Sequence, residues 1–248
     1  MPSAARAFAR AGAKVFLAGR TLAKLEVVAR DIASAGGIAE TAQLDVLDQA
    51  AVEKHVDAVA AKAGGIDIAL NAVGMVHVQG TLLADLSLKD FSYPIETYTR
   101  FNFITAKAVA RHMVKKGSGV ILTLSTPGSK LTVPGVLGFC STCAAIEAFS
   151  RVLAAELGSK GVRVICLRPD AIPQAQSKGT HAREVFAPMA AAAGISVEAM
   201  LEGGSAHTLL GRFPTLDQVG NAAVFFASDH AGAMTGTVAN LTCGSLTD

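Results

Sequence analysis

Aromatic and charged residues are scarce in this sequence. It contains no tryptophan and only two tyrosines, Tyr93 and Tyr98, among 248 residues, so it offers few phenol groups for chemistry. Charged residues make up 17% of the chain and hydrophobic residues 51%, a balance that is typical of a large buried core. A chain of this length is too short for two domains of ordinary size, so we expect a single domain over residues 1–248.

Cysteine is also sparse, and its spacing does not match the usual structural zinc site. The four cysteines are Cys140, Cys143, Cys166 and Cys243. Cys140 and Cys143 form a C-x-x-C pair, but neither a second pair nor a nearby histidine completes a set of zinc ligands. We therefore expect a reduced, cytoplasmic protein without a metal ion.

Long runs of one charge and long apolar runs are missing as well. The formal net charge is +2 and no basic run exceeds Lys115-Lys116, so we expect no nucleic-acid partner. No apolar run reaches the length of a membrane span, and the N-terminus lacks the apolar core of a signal peptide, so we expect no membrane partner. Arg6, Arg10 and Lys14 also fit a transit peptide, but the segment is more typical of a helix that ends at Gly12.

Short apolar runs alternate with longer helical patterns along the chain. The predicted strands cover residues 13–18, 39–46, 66–70, 119–124, 162–167 and 237–241, and the predicted helices cover 4–12, 22–35, 49–63, about 98–115, 138–157 and 217–227. Repeated strand–helix–strand units favour a doubly wound α/β fold with a parallel sheet. Residues 171–212 show the least regular pattern, and loops of this kind often close over a ligand.

Five motifs carry a resemblance to a known family. They are LAGR (residues 17–20), Asp45-Val46, Asn71-Ala72-Val73-Gly74, Asn102 within a long helix, and TGTVANLTCG (residues 235–244). In this order and spacing, they resemble the short-chain dehydrogenase/reductase family over essentially the whole chain. The resemblance implies a Rossmann-like fold, an NAD(P) cofactor, and hydride transfer to or from a small carbonyl or alcohol substrate.

The resemblance also implies which residues contact the cofactor. An acid at the end of the first strand would bind the ribose of NAD, but Gly19 stands there and Arg20 follows, which favours the 2′-phosphate of NADP. The alternative is a solvated arginine in a turn. The other implied cofactor contacts are Asp45 and Val46 beside the adenine, Asn71 and Gly74 along the cofactor, and Pro169 and Ile172 near the nicotinamide.

The catalytic segment departs from the family pattern. The family uses a serine, then a Tyr-x-x-x-Lys pair thirteen residues later, with the asparagine that Asn102 matches. Alignment without gaps places Thr126 at the serine, Phe139 at the tyrosine and Cys143 at the lysine. Phe139 has no exchangeable proton, and a neutral Cys143 cannot supply the field of a lysine.

Three alternatives remain for the missing proton chemistry. Tyr98, one helical turn before Asn102, can be considered as a replacement donor. Cys143 is either a covalent nucleophile or a small buried residue in the space of the lysine. Asp170 replaces a family glycine after Pro169, where a carboxylate would repel the cofactor or bind a substrate amine.

The family's opening strand and its T-G-x-x-x-G-x-G loop do not occur in this sequence. Residues 4–12 match the helix that follows that loop. Because that strand is central in the family's sheet, its loss would leave unpaired backbone edges. We expect either a truncated or mis-started chain, or a variant in which the two flanking strands close up.

Three functions stay open on the sequence alone: an NAD(P)-dependent oxidoreductase with altered catalytic groups, a non-catalytic relative that binds a nucleotide or a partner, and a reaction that uses Cys143. We also expect a homodimer or homotetramer, assembled through the helices around Asn102 and after Cys143. The apolar residues expected at that surface are Phe101, Val109, Ile146, Phe149 and Val152.

Overall fold

The computed structural model describes residues 2–176 and 181–247, in which strands and helices alternate. The strands are β1 (Lys14–Gly19), β2 (Ile38–Gln43), β3 (Ile68–Leu70), β4 (Gly119–Leu124), β5 (Val162–Pro169) and β6 (Val238–Leu241). The helices are α1 (Pro2–Arg10), α2 (Leu22–Ser34), α3 (Gln49–Ala63), α4 (Leu88–Lys116), α5 (Leu137–Leu157), α6 (Pro173–Gln176), α7 (Ala182–Ala192), α8 (Val197–Ala206) and α9 (Leu216–Ala227).

All the strand pairings are parallel, and helices connect successive strands from β1 to β5. β1 pairs with β2, while β3, β4, β5 and β6 form a second sheet in that order. This arrangement confirms the doubly wound α/β fold. Within the described residues no strand pairing joins β1 to β3, the place where the family's first strand would lie.

The core covers both faces of the four-stranded sheet because its central strands are apolar on both sides. Ile121 and Val164 belong to a buried cluster with α3, α4 and α5. Val120, Leu122 and Ile165 belong to a second cluster with α1 and α9. Neighbouring residues of one strand point to opposite faces, so the continuous apolar runs of β4 and β5 fit a sheet that is covered twice.

The boundaries of α3 and β4 agree with the prediction, whereas the predicted start of α4 was wrong. α4 begins at Leu88 instead of about Tyr98. Ser87 caps it, because its hydroxyl accepts a hydrogen bond from the Asp90 amide at 3.0 Å. Pro94 then lies inside the helix, which obscured this first part in the sequence.

The segment expected to be irregular contains helices among its described residues. α7 and α8 occupy much of residues 171–212, and residues 177–180 lie outside the described part. Ser196 caps α8 by accepting a hydrogen bond from the Ala199 amide at 3.0 Å. Pro188 in α7 and the Gly203-Gly204 pair in α8 are helix-breaking residues, so their presence hid both helices.

One helical stretch is longer and more apolar than the sequence analysis predicted. In the described part of the chain, Leu137–Lys160 is long and apolar enough to cross a membrane, and the bent pair of α7 and α8 passes the same test. The expectation that no run reaches this length was therefore wrong. α5, which forms most of the stretch, packs against α4 and β5 and buries Glu147, as the core helix of a folded domain does.

The surface expected to hold two copies together was also partly wrong. Phe101 and Ile146 are each only 2% exposed, and Val109 is buried as well. These three residues face the core because α4 and α5 pack on the sheet. Val152 is 59% exposed, as an interface residue would be in a single copy.

Candidate active site

The carboxyl ends of two neighbouring parallel strands, β3 and β4, bring Asn71 and Thr126 to one edge of the sheet. Asn71 follows β3, and its amide donates to the Leu122 carbonyl at 2.9 Å. Ser125 follows β4, and its amide donates to the Leu167 carbonyl at 2.9 Å. Thr126 is the next residue, so the hydrogen bond of the Ser125 amide also fixes the backbone from which the Thr126 side chain extends. Ligands of open α/β sheets bind at this edge.

Asn71 and Asn102 are joined directly. The Asn71 side-chain amide donates to Asn102 Oδ1 at 2.9 Å, and Asn102 Nδ2 donates to the Tyr98 carbonyl at 2.9 Å. Asn102 lies in the interior of α4 and is buried, where an unpaired amide would be costly. The two residues that the sequence placed in the site thus hold each other in place.

Cys143 is enclosed beside Thr126. Its sulfur lies 3.2 Å from Thr126 Oγ1, which also accepts a hydrogen bond from the Gly128 amide at 3.2 Å. Cys143 is 2% exposed, and this burial raises the pKa of its thiol to about 12. A thiol with this pKa stays protonated at neutral pH, which argues against Cys143 as a nucleophile. It has the surroundings of a small buried residue.

Phe139, at the position of the family tyrosine, stacks on a histidine that the sequence analysis did not single out. The rings of Phe139 and His77 are 4.5 Å apart at their centroids, with an angle of 18° between their planes. His77 is buried, and this burial lowers its pKa, although the hydrogen bond to Met75 opposes the shift. No sequence pattern indicated its burial, because His77 and Gln79 are buried while the valines next to them are exposed, the reverse of the usual pattern.

His181 is a second histidine that the sequence analysis missed. It precedes α7, and its imidazole lies so close to Gly74 that a Cβ at Gly74 would overlap the ring. The His77 and His181 rings are 6.5 Å apart at their centroids. Burial and the nearby charge of His77 lower the pKa of His181. No local pattern marks it, because its neighbours in space come from distant segments.

Tyr98 lies behind His77 and is held by the backbone. Its hydroxyl oxygen accepts a hydrogen bond from the Met75 amide at 3.1 Å, and its ring meets His77 edge-on at 6.2 Å. Burial raises the pKa of Tyr98. The tyrosine therefore supports the loop that carries His77, because its hydroxyl oxygen accepts a bond from the backbone of that loop.

A buried ion pair is hydrogen-bonded to the residue that follows β4. Glu147 accepts hydrogen bonds from Arg168 Nε at 2.8 Å and Nη2 at 3.1 Å, and from Ser125 Oγ at 2.9 Å. Burial raises the pKa of Glu147, but the bonds from Arg168 and Ser125 outweigh it, and the net pKa is lowered. The sequence analysis missed this pair, because neither residue stands out in its helix or strand.

Asp170 is engaged by the C-terminal part of the chain. Its carboxylate accepts hydrogen bonds from the Ser245 hydroxyl and from the Ala171 amide. Burial raises its pKa, although these two bonds oppose the shift. Pro169, at the end of β5, is buried, and Ile172 is half-buried beyond it. Pro169 ends the strand that carries Arg168, next to the end of β4 where Thr126 lies.

The residues expected at the adenosine end lie at the ends of β1 and β2. Gly19 is opposite Gln43, and the Gln43 amide donates to the Arg20 carbonyl at 3.1 Å. Arg20 is exposed, and so is Asp45, whose carboxylate accepts from the Leu47 amide at 3.0 Å. An exposed guanidinium without a carboxylate at Gly19 fits a phosphorylated ribose.

The residues expected at the nicotinamide end leave little room for a planar ring in this structure. Gly74 leaves a surface without a side chain that a planar group can approach, and the imidazole of His181 covers this surface. Val46 is half-buried and packs with the cluster around Phe101 and Tyr98. The residues therefore fit a dinucleotide if the His181 ring turns aside or stacks beside it. Among the described residues, no group of three or more His, Cys, Asp or Glu residues could hold a metal ion.

A family profile and curated relatives match nearly the whole chain. A profile described as Enoyl-(Acyl carrier protein) reductase matches residues 2–245. Gluconate 5-dehydrogenase of Gluconobacter oxydans is 29% identical over 234 residues, which are 94% of this chain and 85% of that protein. The 3-oxoacyl-(acyl-carrier-protein) reductase of Chlamydia muridarum is 29% identical over 241 residues, 97% of this chain and 90% of that protein.

Solved structures match equally well. A short-chain type dehydrogenase/reductase from Mycobacterium marinum superposes with a TM-score of 0.85 at 29% identity, covering 100% of this chain and 91% of that one. Gluconate 5-dehydrogenase from Burkholderia cenocepacia, in complex with NADP and tartrate, gives 0.84 at 25% identity over 98% and 89% of the two chains.

Proposed function

This chain belongs to the short-chain dehydrogenase/reductase family of oxidoreductases, and we propose that it binds NADP(H) and transfers a hydride between this cofactor and a small carbonyl or alcohol compound. The bound cofactor supplies or accepts the hydride. NAD is the less favoured cofactor. The residues that would hold the dinucleotide are Arg20, Asp45, Val46, Asn71, Gly74, Pro169 and Ile172.

The observation that carries the cofactor proposal is the exposed Arg20 directly after Gly19. A carboxylate at the position of Gly19 would repel a ribose phosphate, and its absence removes that barrier. The guanidinium can donate two hydrogen bonds to one phosphate, which gives selectivity as well as binding energy. The Burkholderia cenocepacia relative was solved with NADP, which supports the same choice.

The residues at the strand ends have separate tasks in this proposal. Thr126 would donate a hydrogen bond to the substrate oxygen by turning its hydroxyl hydrogen away from Cys143 Sγ, while its Oγ1 keeps accepting from the Gly128 amide. Asn71 and Asn102 would keep the loop after β3 against α4. Phe139 would exclude water from the reacting atoms.

A second candidate is a relative that binds a nucleotide or a partner without catalysis. The observation in its favour is the pair of substitutions in α5: Phe139 carries no exchangeable proton, and Cys143 is a buried thiol with a pKa of about 12. Neither residue can replace a tyrosine and a lysine in the ordinary mechanism. This candidate predicts tight cofactor binding without turnover.

The cellular setting is part of the proposal. None of the four cysteines forms a disulfide in the described residues. Free thiols fit a reducing compartment, and we propose the cytoplasm. We also propose a homodimer or homotetramer that uses α4 and α5, with Val152 and Phe103 as exposed apolar contacts in place of the buried residues. Small polyols, hydroxy acids and ketones are the substrates to test first, because relatives named for gluconate, threitol and steroid substrates match this chain.

Two measurements test the function. Titration with NADPH and NADH, followed by cofactor fluorescence, should give saturable binding with the lower Kd for NADPH. An alcohol and ketone panel should then show turnover with the bound cofactor. Binding without turnover over the whole panel would favour the non-catalytic candidate, and failure to bind either cofactor would overturn both nucleotide-based proposals.

A further inference from the structure

His77 and His181 bring two imidazoles to the part of the site where the proton donor is missing. The ring of Phe139, which occupies the position of the family tyrosine, lies flat against His77. His181 lies next to His77 and covers Gly74 on the side where the cofactor is expected. An imidazole is the side chain best suited to proton transfer near neutral pH.

The hydrogen bonds of His77 determine its tautomer. Its Nδ1 lies 2.9 Å from the Met75 carbonyl, which can only accept, so Nδ1 carries the hydrogen. Its Nε2 lies 2.9 Å from Gln79 Nε2 and therefore accepts from that amide. Both ring nitrogens are occupied, and the ring is buried. His77 is thus fixed in place and does not present a free nitrogen to a substrate.

His181 has the properties that His77 lacks. It is half-buried, and no hydrogen bond to its ring nitrogens is found among the described residues. It lies directly before α7 and its ring covers Gly74, so the ring must turn aside or stack beside a bound cofactor. The groups that face it are His77 from the loop after β3 and, behind His77, Tyr98 of α4 and the uncharged Phe139 of α5.

We propose that His181 is the catalytic proton-transfer residue of this site, with the fixed ring of His77 as its neighbour on the side of position 139. The proposal rests on the proposed oxidoreductase function. It assigns the task of the missing tyrosine to a residue from a different segment of the chain.

The step is balanced in both directions. In alcohol oxidation, the O–H bond of the substrate breaks and its proton moves to a neutral nitrogen of His181, while the hydride leaves the carbinol carbon for the cofactor and the C=O bond forms. In carbonyl reduction, the imidazolium of His181 returns that proton to the oxygen as the hydride arrives at carbon. The two electrons are carried by the cofactor in each case.

The pH profile separates His181 from the other two candidates. The pKa of His181 lies below its ordinary value of about 6.5, so the ring is neutral at pH 7 and acts as a base. The kcat/KM of alcohol oxidation should therefore increase as the pH is raised through the acidic range, and it should stay level between pH 7 and about pH 9. The pKa values of Tyr98 and Cys143 are raised, so a rate that keeps rising above pH 9 would overturn the proposal.

The variants give the second readout. His181→Gln should lower kcat by about 10²–10⁴-fold while the Kd for NADPH changes little, and His207→Gln, a surface histidine, serves as the matched control. His181→Gly should regain part of the rate when imidazole is added. If His181→Gln turns over as fast as the wild type, the role of His181 is refuted and the oxidoreductase function stands.

A titration by NMR needs neither cofactor nor substrate. The Cε1 proton of His181 should titrate below the ordinary histidine pKa of about 6.5, because burial and the neighbouring His77 lower its pKa. The midpoint should rise in His77→Gln, which removes the second titratable imidazole. A midpoint at or above about pH 6.5 that does not move in His77→Gln would overturn the placement of His181 next to His77. A wild type that neither binds NADPH nor turns over would refute the oxidoreductase function, and the proton-transfer role with it.

Discussion

Glu147 and Arg168 form an ion pair in the interior, with side chains that are only 6% and 2% exposed. The carboxylate also accepts a hydrogen bond from Ser125, the residue directly before Thr126. α5 and β5 are therefore tied to the strand end that carries the candidate site. A buried pair of this kind is sensitive to the loss of one member, because the other charge is then left without its partner in a low-dielectric environment.

Glu147→Ala is predicted to destabilise the protein strongly. Removal of the carboxylate takes away the charged partner of Arg168 Nε and Nη2 in the interior and should lower the free energy of unfolding by about 3–5 kcal/mol. Urea denaturation measures this loss. Glu198→Ala is the control, since Glu198 pairs with Arg183 at the exposed surface and its loss should change little. Equal losses in both variants would contradict the importance of the buried pair.

The same pair predicts a dependence of stability on pH. The folded-state pKa of Glu147 is lowered, so its contribution is complete above the unfolded pKa of about 4.3 and is lost as the pH falls through the folded value. The free energy of unfolding should therefore drop below about pH 4.3 more steeply in the wild type than in Glu147→Gln. Parallel curves for the two proteins would show that folding does not shift the pKa of Glu147.

The sequence predicted the architecture well because the fold depends on patterns that are local. β4 is a continuous apolar run, and α3 begins after Asp48, whose carboxylate accepts from the Ala51 amide, and ends before Gly64 in the left-handed region. Both elements were found with their correct bounds. α4 was started too late because Pro94 is normally excluded from helix interiors.

The candidate site was only half predictable. Asn71, Asn102 and Thr126 were found from motif spacing, and the structure brings Asn71 and Asn102 into contact. His77 and His181 were missed because their importance depends on the approach of two loops that are far apart in sequence. No periodicity within either loop reports such an approach.

Arg20→Ala is predicted to remove most of the preference for NADP(H). A charge-assisted contact of this type contributes about 1–3 kcal/mol, so the ratio of the Kd values for NADH and NADPH should fall about tenfold or more. Fluorescence titration with each cofactor measures the ratio. Arg30→Ala, an exposed arginine of α2, should leave it unchanged. An unchanged ratio in Arg20→Ala would count against phosphate recognition by Arg20.

The oligomer prediction now depends on different residues. Val152 of α5 and Phe103 of α4 are 59% and 52% exposed, so they can form an apolar contact between copies. Light scattering should show a dimer or tetramer for the wild type at micromolar concentration. Val152→Glu combined with Phe103→Glu should shift it towards smaller species, whereas Ile38→Glu at the start of β2 should not. A monomeric wild type would refute the assembly.

Restoration of the family's own proton donor provides a test in the opposite direction. Phe139→Tyr and Cys143→Lys together would place a phenol on the ring of His77 and an ammonium one helical turn later, with Glu147 one further turn along α5. A lysine at position 143 must pass Thr126, so it should reduce stability by about 1–3 kcal/mol through overpacking. A thermal melt shows whether the variant is still folded.

The double variant is tested most clearly in a protein that also carries His181→Gln, in which the proposed proton donor has been removed. There, the double variant should regain carbonyl reduction, because the ammonium lowers the pKa of the phenol and the phenol donates the proton. Either single change should do little, since the tyrosine alone keeps a high pKa and the lysine alone has no donor to tune. The pH profile should then follow the phenol instead of an imidazole. A folded double variant that remains as slow as His181→Gln would show that the substrate oxygen does not lie within reach of position 139, and that the two positions are not interchangeable sources of the proton.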